Sequence, residues 1–576
     1  MNPAKPKIKP SPILERVTPY HPPRPFAPVS LKLDANEGSL PSPELLDEAL
    51  SINGEALRKY PDASALEKEI ASAFNLPQEK ILVTAGADDA IERVLRALLT
   101  PEREIVIPVP TFEMFERYIG LADAKAVEIP WLDEKFPLEE VIGAINEKTA
   151  ILTIVSPNSP TGFVISDDEL KKLSAAAPNA IILVDLAYTE FANDDLMDIA
   201  TSLPNAVVLR SFSKALGLAG IRVGWVYAPQ EVIGWLRAVG HPYAVSAPSI
   251  QIASAKLKRG KSEVVAFCER IKTERSELTR LLQKLGANPF PSQANFILAR
   301  FKDAGWLYDA LVALGISVRI FPENPYLENC ARITLPGNET DFLRLTQALK
   351  TIFAPEGLLF DLDNTLADVS ESYRKAIIET ARFFGVTVSK KAVSQAKAKG
   401  NSNNDWELTH RLVKAGGVEV SISAVTEKFE ELYQGTAKQK GFRESETLLV
   451  KPEFLAALAK RFKLGVVTGR PRKDAMLFLR KSGIDKVFST VIALEDASPL
   501  KPDPAPVKKA LEFMKINSAW MVGDTPDDII SARNAMVLPL GVLSLSDEHT
   551  SAADAMRRAG AARILKNLVE LEELIQ

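Results

Sequence analysis

Two sets of residues in this chain of 576 have the types and spacing that chemistry needs. In SFSKALGLAGIRVGW, residues 211–225, Ser211 and Ser213 flank the approach to Lys214, and Arg222 follows. An apolar run, AVVLR, leads into this segment, and Arg222 opens a second one, RVGWVYA. One strand delivers two hydroxyls and an amine to a turn, and the next brings a guanidinium back to them. Hydroxyls with an arginine suit a phosphate, whose oxygens a guanidinium meets in pairs. An amine beside that cradle suits a Schiff base to a phosphorylated aldehyde, the arrangement for pyridoxal phosphate. In FDLDNTL, Asp361 and Asp363 are two apart where an apolar run ends, so in an extended chain they point the same way. VGDTPDD adds Asp524 and Asp528. Close carboxylates repel unless a cation bridges them, and a cluster without His or Cys suits Mg2+. Thr468 in GVVT and Lys501 in PLKPDP would complete a phosphate pocket.

The elements that must hold these residues follow from apolar runs alternating with amphipathic segments. Between 45 and about 354, ILVT, EIVIPV, AILTIVSP, AIILVD and AVVLRS each precede a turn and a helical pattern. This βα alternation predicts an α/β fold with a parallel, doubly wound sheet whose functional residues sit at strand ends. The remaining candidates lie there. TAGADD turns from strand to helix, so the free N–H groups of Gly86, Ala87 and Asp88 make an anion site. Phe112 can stack on a pyridine ring, and Asn158 in SPNSPTG aims an amide at the sheet edge. Asp185 ends an apolar run, where a carboxylate needs a cation such as a pyridinium. Tyr188 follows three residues on and can bond the ring hydroxyl.

From 229 the pattern becomes helical, then mixes short strands with helices, predicting a smaller α+β lobe over 229–354. At 355 the alternation restarts after APEG, a link short enough to restrict two modules. Residues 355–576 read as a second α/β domain with a helical insert at 370–455. Proline-rich residues 1–30 read as an extended arm.

Composition narrows the function. Hydrophobic residues at 46% and charged residues at 25% are those of a globular protein, and a net charge of −4 gives no case for nucleic acid. No apolar run is long enough to span a bilayer, and a cytoplasmic setting is expected. Cys268 and Cys330 allow at most one disulfide, and the four histidines are far apart in sequence, against a zinc cluster or a Ser-His-Asp triad.

Residues 13–353 resemble the fold-type I pyridoxal-phosphate aminotransferases, and among them the histidinol-phosphate aminotransferase family. The likeness rests on LDANEG, LRKYPD, TAGADDAIE, VPTFEMF, SPNSPTG, VDLAYTEF, SFSKALGLAGIRVGW and ARITLPG. It implies that Lys214 carries the Schiff base, that Asp185 keeps the pyridinium protonated and that Asn158 and Tyr188 bond the ring oxygen. It implies phosphate binding by Ala87, Asp88, Ser211, Ser213 and Arg222. Arg332 would take the substrate's anionic group. Tyr20 and Arg319 match positions that contact the substrate phosphate, and Tyr60 one that reaches over from a partner subunit, so a homodimer is expected. Leu186, Phe112, the GSLPSP loop and Ala244 depart from the family pattern. A phosphothreonine-type decarboxylase shares the same core and stays open.

Residues 357–576 resemble the haloacid dehalogenase superfamily through DLDNTL, VVTGR, LKPDP and VGDTPDD. By that likeness Asp361 attacks phosphorus and Asp363 acts as acid, then base. Mg2+ is held by Asp361, Asp524 and the backbone of Asp363, with Asp528 behind. The insert is then a cap, in which Trp406 is a candidate substrate contact. Two consecutive steps of histidine biosynthesis, transamination and dephosphorylation of histidinol phosphate, would make such a fusion economical. A phosphatase for another ester, such as phosphoglycolate, and a docking or regulatory module are the alternatives.

Overall fold

The computed structural model describes residues 9–17, 19, 24–51, 54–398, 404–544 and 549–575. The chain divides into two compact units. The first contains Leu33–Ala304 and Val318–Phe342; the second contains Arg24–Lys32, Gly305–Ser317 and Leu343–Gln576.

The first unit is built on a seven-stranded sheet. Its strands, in spatial order, are Ile81–Thr84, Gly224–Tyr227, Ala206–Ser211, Ile181–Asp185, Thr149–Val155, Glu104–Val109 and Lys125–Pro130. Apolar residues on both faces explain the continuous hydrophobic runs, since helices cover each side. The sheet is mixed where the sequence predicted a parallel one: Gly224–Tyr227 runs antiparallel to both its neighbours. The short turn after Lys214 permits this reversal, because a parallel return would need a full crossover. It brings Arg222 back beside Ser211. A smaller antiparallel sheet carries Cys330–Thr334, Phe296–Arg300 and Asn288–Pro289, in the α+β lobe that the sequence predicts.

The proline-rich arm is not extended throughout. Pro12–Arg16 is a short 3-10 helix, which Pro12 can start because its fixed φ and missing N–H cost nothing in a first turn. Cys268 and Cys330 are both buried free thiols.

The second unit holds a six-stranded parallel sheet, ordered Phe488–Ile492, Lys463–Val467, Gly357–Phe360, Ala519–Gly523, Leu538–Val542 and Arg563–Leu565. The chain leaves and re-enters it at a two-stranded ladder of Ala367–Asp368 with Thr447–Leu448. Between these lie the helices Tyr373–Phe383, Lys390–Ala398, Asp405–Ala415 and Ile422–Gln434, as the polar helical pattern predicts. Glu356 in the APEG link is pinned, its carboxylate accepting from the backbone of Asn517 at 2.7 Å and of Ser518 at 3.1 Å. In the same unit Trp306 packs edge-on against Trp520, whose Nε1 donates to the carbonyl of Thr351 at 2.6 Å.

Two candidate active sites

In the first unit the chemistry gathers where three adjacent strands end. Lys214 follows the strand Ala206–Ser211, and its Nζ donates to the carbonyl of Ala35 at 2.9 Å. The amine stands 5.5 Å from the centre of the Tyr188 ring. Asp185 ends the neighbouring strand, is buried, and accepts from the backbone N–H of Ala187 at 3.0 Å. Burial pushes its carboxyl up to about 6; the Ala187 bond and the charge of Lys214 oppose this, and Asp88 adds to it. A buried acid held in this way suits a cationic ring nitrogen.

The residues expected to cradle an anion lie close to one another. The helix Gly86–Leu98 starts at the end of its strand. Arg222 crosses its N-terminus, donating to Asp88 Oδ2 at 2.8 Å and to Ser213 Oγ at 3.4 Å. The hydroxyl of Ser211 accepts from the backbone of Ser213 at 3.0 Å. Gly86 has φ +87°, and a Cβ there would fall 2.6 Å from the Arg222 guanidinium. Only glycine allows this approach. Ala87 sits in the first turn of the helix, with its N–H among those the helix leaves free.

Asn158 donates to the carbonyl of Pro110 at 3.0 Å and to Thr161 Oγ1 at 2.8 Å, while its Oδ1 accepts from Thr111 at 2.8 Å. Phe112 is half-buried against the core on one face of the sheet. Tyr188 accepts from Asn36 Nδ2 at 3.0 Å. Asn36, buried and at φ +55°, was not singled out from the sequence, although the quoted LDANEG contains it. Its left-handed backbone is a conformation that asparagine tolerates better than most residues.

Arg319 and Arg332 occupy facing register positions on neighbouring antiparallel strands. Arg332 donates to Ser159 Oγ at 3.1 Å and to the carbonyl of Asp34 at 2.7 Å; Arg319 pairs with Glu113 at 2.9 Å. Tyr60 stands apart from this group. It is 80% exposed and stacks on Tyr243, with centroids 4.5 Å apart. Tyr20 lies outside the described residues.

The second site is a charge cluster at the ends of Gly357–Phe360 and Ala519–Gly523. Asp361, Asp524 and Asp528 are buried, and each presents an oxygen within 4.8 Å of the others. Lys501 Nζ donates to Asp361 at 2.7 Å, to Asp528 at 2.5 Å and to the carbonyl of Val467 at 3.0 Å. Burial pushes the Asp361 carboxyl up to about 7, with Lys501 opposing and Asp528 and Asp363 adding to it; Asp524 is raised as well, chiefly by burial. Asp361 and Asp528 raise Lys501 against its own burial. Oxygen donors so placed fit a hard divalent cation. Gly523 makes room, since a Cβ there would sit 2.4 Å from Asp528. Asn364, at φ +54°, donates to Asp524 at 3.0 Å. Thr468 is buried and accepts from the backbone of Arg470 at 3.1 Å.

The side chain of Asp363 is not in the trio. It turns to Arg470, whose Nε donates to it at 2.6 Å. A pocket beside them is lined by Gly469, Pro471 and Leu494 of the sheet domain and by Tyr373, Asn404, Asp405 and Trp406 of the insert. Asn404 caps the helix that carries Trp406, and the Trp406 indole donates to Glu430 at 3.0 Å. The expected cap tryptophan therefore both follows a helix cap and lines the pocket. The buried pair of Lys397 and Asp405, 3.0 Å apart, was not singled out, nor were Arg470 and Glu446, whose partners are remote in sequence.

Both parts of the chain match known families. The model of the aminotransferase class I and II family matches residues 30–349, and that of haloacid dehalogenase-like hydrolases matches 358–542. A histidinol-phosphate aminotransferase of Thermoanaerobacter pseudethanolicus is 34% identical over 324 residues, covering 54% of this chain and 91% of the relative. An imidazoleglycerol-phosphate dehydratase of Phytophthora nicotianae is 44% identical over 237 residues, 38% of this chain; the chain spans about half, 52%, of that relative's length. Among solved structures, the histidinol-phosphate aminotransferase of Sinorhizobium meliloti in complex with pyridoxal 5'-phosphate superposes with a TM-score of 0.51 at 23% identity. It covers 59% of this chain and 97% of that one. No helix among the described residues is long and apolar enough to cross a membrane. The chain belongs to the class I and II aminotransferase family, alongside the histidinol-phosphate aminotransferases and with pyridoxal phosphate as cofactor, and carries a haloacid dehalogenase-like hydrolase domain behind it.

Proposed function

We propose that the protein is bifunctional, exchanging the amino group of histidinol phosphate with the 2-oxoglutarate/glutamate pair and hydrolysing a phosphate monoester, histidinol phosphate, in its second domain. The register-paired residues Arg319 and Arg332 carry the first assignment, since two cations on adjacent strands suit a substrate with a phosphate or carboxylate group. When bound, pyridoxal phosphate supplies an electron sink. Asp185 would hold its ring nitrogen, and Ala87, Asp88, Ser211, Ser213 and Arg222 its phosphate. Asn158 and Tyr188 would bond its ring oxygen, with Phe112 against its face. Lys214 takes the proton from the substrate Cα, and its amine is well placed beside Asp185 and Tyr188 to do so.

The trio with Lys501 carries the second assignment. Mg2+ would be held by Asp361, Asp524 and Asp528 and would screen the approaching phosphate. Asp361 attacks phosphorus, the ester P–O bond breaks, and the leaving oxygen takes a proton from Asp363. Water, losing its proton to Asp363, then attacks the phosphoaspartate and frees phosphate and Asp361. Lys501 and Thr468 would steady the phosphoryl oxygens. Trp406 lines the pocket and offers a face for a planar ring, which an imidazole matches. The names of the two relatives, a histidinol-phosphate aminotransferase and an imidazoleglycerol-phosphate dehydratase, both refer to phosphorylated imidazole compounds.

The deciding measurement is kcat/KM of the phosphatase for histidinol phosphate against phosphoglycolate and simple sugar phosphates, because specificity is a ratio of these values. A preference for histidinol phosphate supports the reading. Equal or higher values for phosphoglycolate sink the histidine assignment of this domain, and no hydrolysis of any ester would favour a docking or regulatory role.

A further inference from the structure

Arg470 lies two residues beyond Thr468, and its side chain is 1% exposed. Its Nε donates to Asp363 Oδ1 at 2.6 Å, and Nη2 closes on the same oxygen. Its Nη1 donates to Glu446 Oε2 at 2.9 Å. The other oxygen of Glu446 accepts from Ser372 Oγ at 2.8 Å and from the Tyr433 hydroxyl at 3.2 Å. The guanidinium also lies 4.8 Å from the centre of the Tyr373 ring. Ser372 and Tyr373 stand where the chain enters the helical insert, and Glu446 where it leaves, beside the ladder joining both crossings.

We infer that Arg470 is a positioning residue for Asp363, fixing its carboxylate to the base of the insert so that it faces the ester oxygen. The inference rests on the phosphatase reading above. The Nε hydrogen bond and the ion pair to the same carboxylate oxygen tie the direction of Asp363 to the buried guanidinium. A long flexible Asp–water arrangement would not, and a small misplacement of an acid or base costs orders of magnitude in rate. Glu446 has a separate part. It keeps the buried guanidinium paired whichever protonation state Asp363 takes during turnover, so Arg470 stays in place throughout.

Leaving groups supply the test. An alkyl phosphate needs its oxygen protonated as the P–O bond breaks, and 4-nitrophenyl phosphate barely does. The value of kcat/KM reports the steps up to that cleavage. Removing a buried cation between two carboxylates can unfold the domain, so Arg470→Lys, which keeps the charge, is measured beside the paired variant Arg470→Met with Glu446→Gln. Thermal melting checks that each is folded. In the full chain, both variants are expected to lose about 100-fold in kcat/KM on histidinol phosphate, or on the alkyl monoester that the wild type turns over best. They are expected to lose less than about fivefold on 4-nitrophenyl phosphate, a leaving group that general acid catalysis helps little. Equal losses on both esters in folded variants overturn the inference and make Arg470 structural. An inactive wild type would instead remove the phosphatase reading beneath it.

Discussion

Lys501 donates to Asp361 at 2.7 Å, with both side chains almost wholly removed from water. Because it also holds Asp528, this one ammonium faces the acids on which the second site depends. Losing it would leave buried charge uncompensated, at a cost of about 3–5 kcal/mol. Lys501→Met is therefore expected to abolish hydrolysis and to lower the melting temperature of the second unit. Added Mg2+ should restore much of that temperature and little of the activity. Melting that ignores Mg2+ in both proteins would count against a cation site at the trio.

Asp361→Asn keeps the shape of the side chain and removes the attacking oxygen. Phosphatase activity should fall by at least about 1,000-fold, as expected when a nucleophile is lost. Transamination should persist within about twofold, because its residues belong to the other compact unit. Loss of both activities would contradict the independence of the two chemistries.

Purified protein should absorb in the visible through its bound cofactor. Lys214→Ala should eliminate that band and transamination together while hydrolysis continues. A variant with an unchanged spectrum would show that the amine beside Tyr188 is not the attachment point.

Much of this was legible because both sites sit at strand ends. Asp185 and Asp361 each close an apolar run that cannot end in water-seeking groups without a reason, and Lys214 follows close behind another. Arg222 was legible for the same reason, opening the strand that returns. The antiparallel direction of that strand was not, since a strand buried on both faces reads as apolar in either sense. Asn36 escaped because its partner, Tyr188, is 152 residues away and no local period joins them. Arg470 and Glu446 escaped similarly: VVTGR shows an arginine, but only the fold reveals that the insert supplies its second carboxylate. The turn at Pro12–Arg16 was hidden by the prolines around it, which argue for extension.

Tyr60 and Tyr243 form an exposed stacked pair, with Leu57 also exposed nearby in sequence. Aromatic surface of this kind is costly to leave in water and typical of interfaces. The protein is expected to be a homodimer in sedimentation measurements, and Tyr60→Ala should raise KM for transamination more than it lowers kcat. A monomer with full transaminase activity at low concentration would rule out a site completed by a partner subunit.

The last prediction concerns Asp185, whose carboxyl is pushed from 3.8 up to about 6, chiefly by burial. The folded, cofactor-free protein then binds this proton more tightly than the unfolded chain does. By linkage, stability from this group is full below about pH 4 and is lost as pH rises towards 6, remaining absent above. The loss amounts to roughly 2–3 kcal/mol. Asp185→Asn cannot ionise, so the cofactor-free variant should gain on the wild type by several degrees of melting temperature between pH 4 and pH 7. With cofactor present the order should reverse, because a cationic ring nitrogen offsets the buried charge in the wild type and finds no anion in the variant. Melting curves of both proteins across this range, with and without pyridoxal phosphate, measure the two effects. A difference that stays constant with pH would mean that Asp185 is ionised at no cost and that its burial is not what prepares it for the ring.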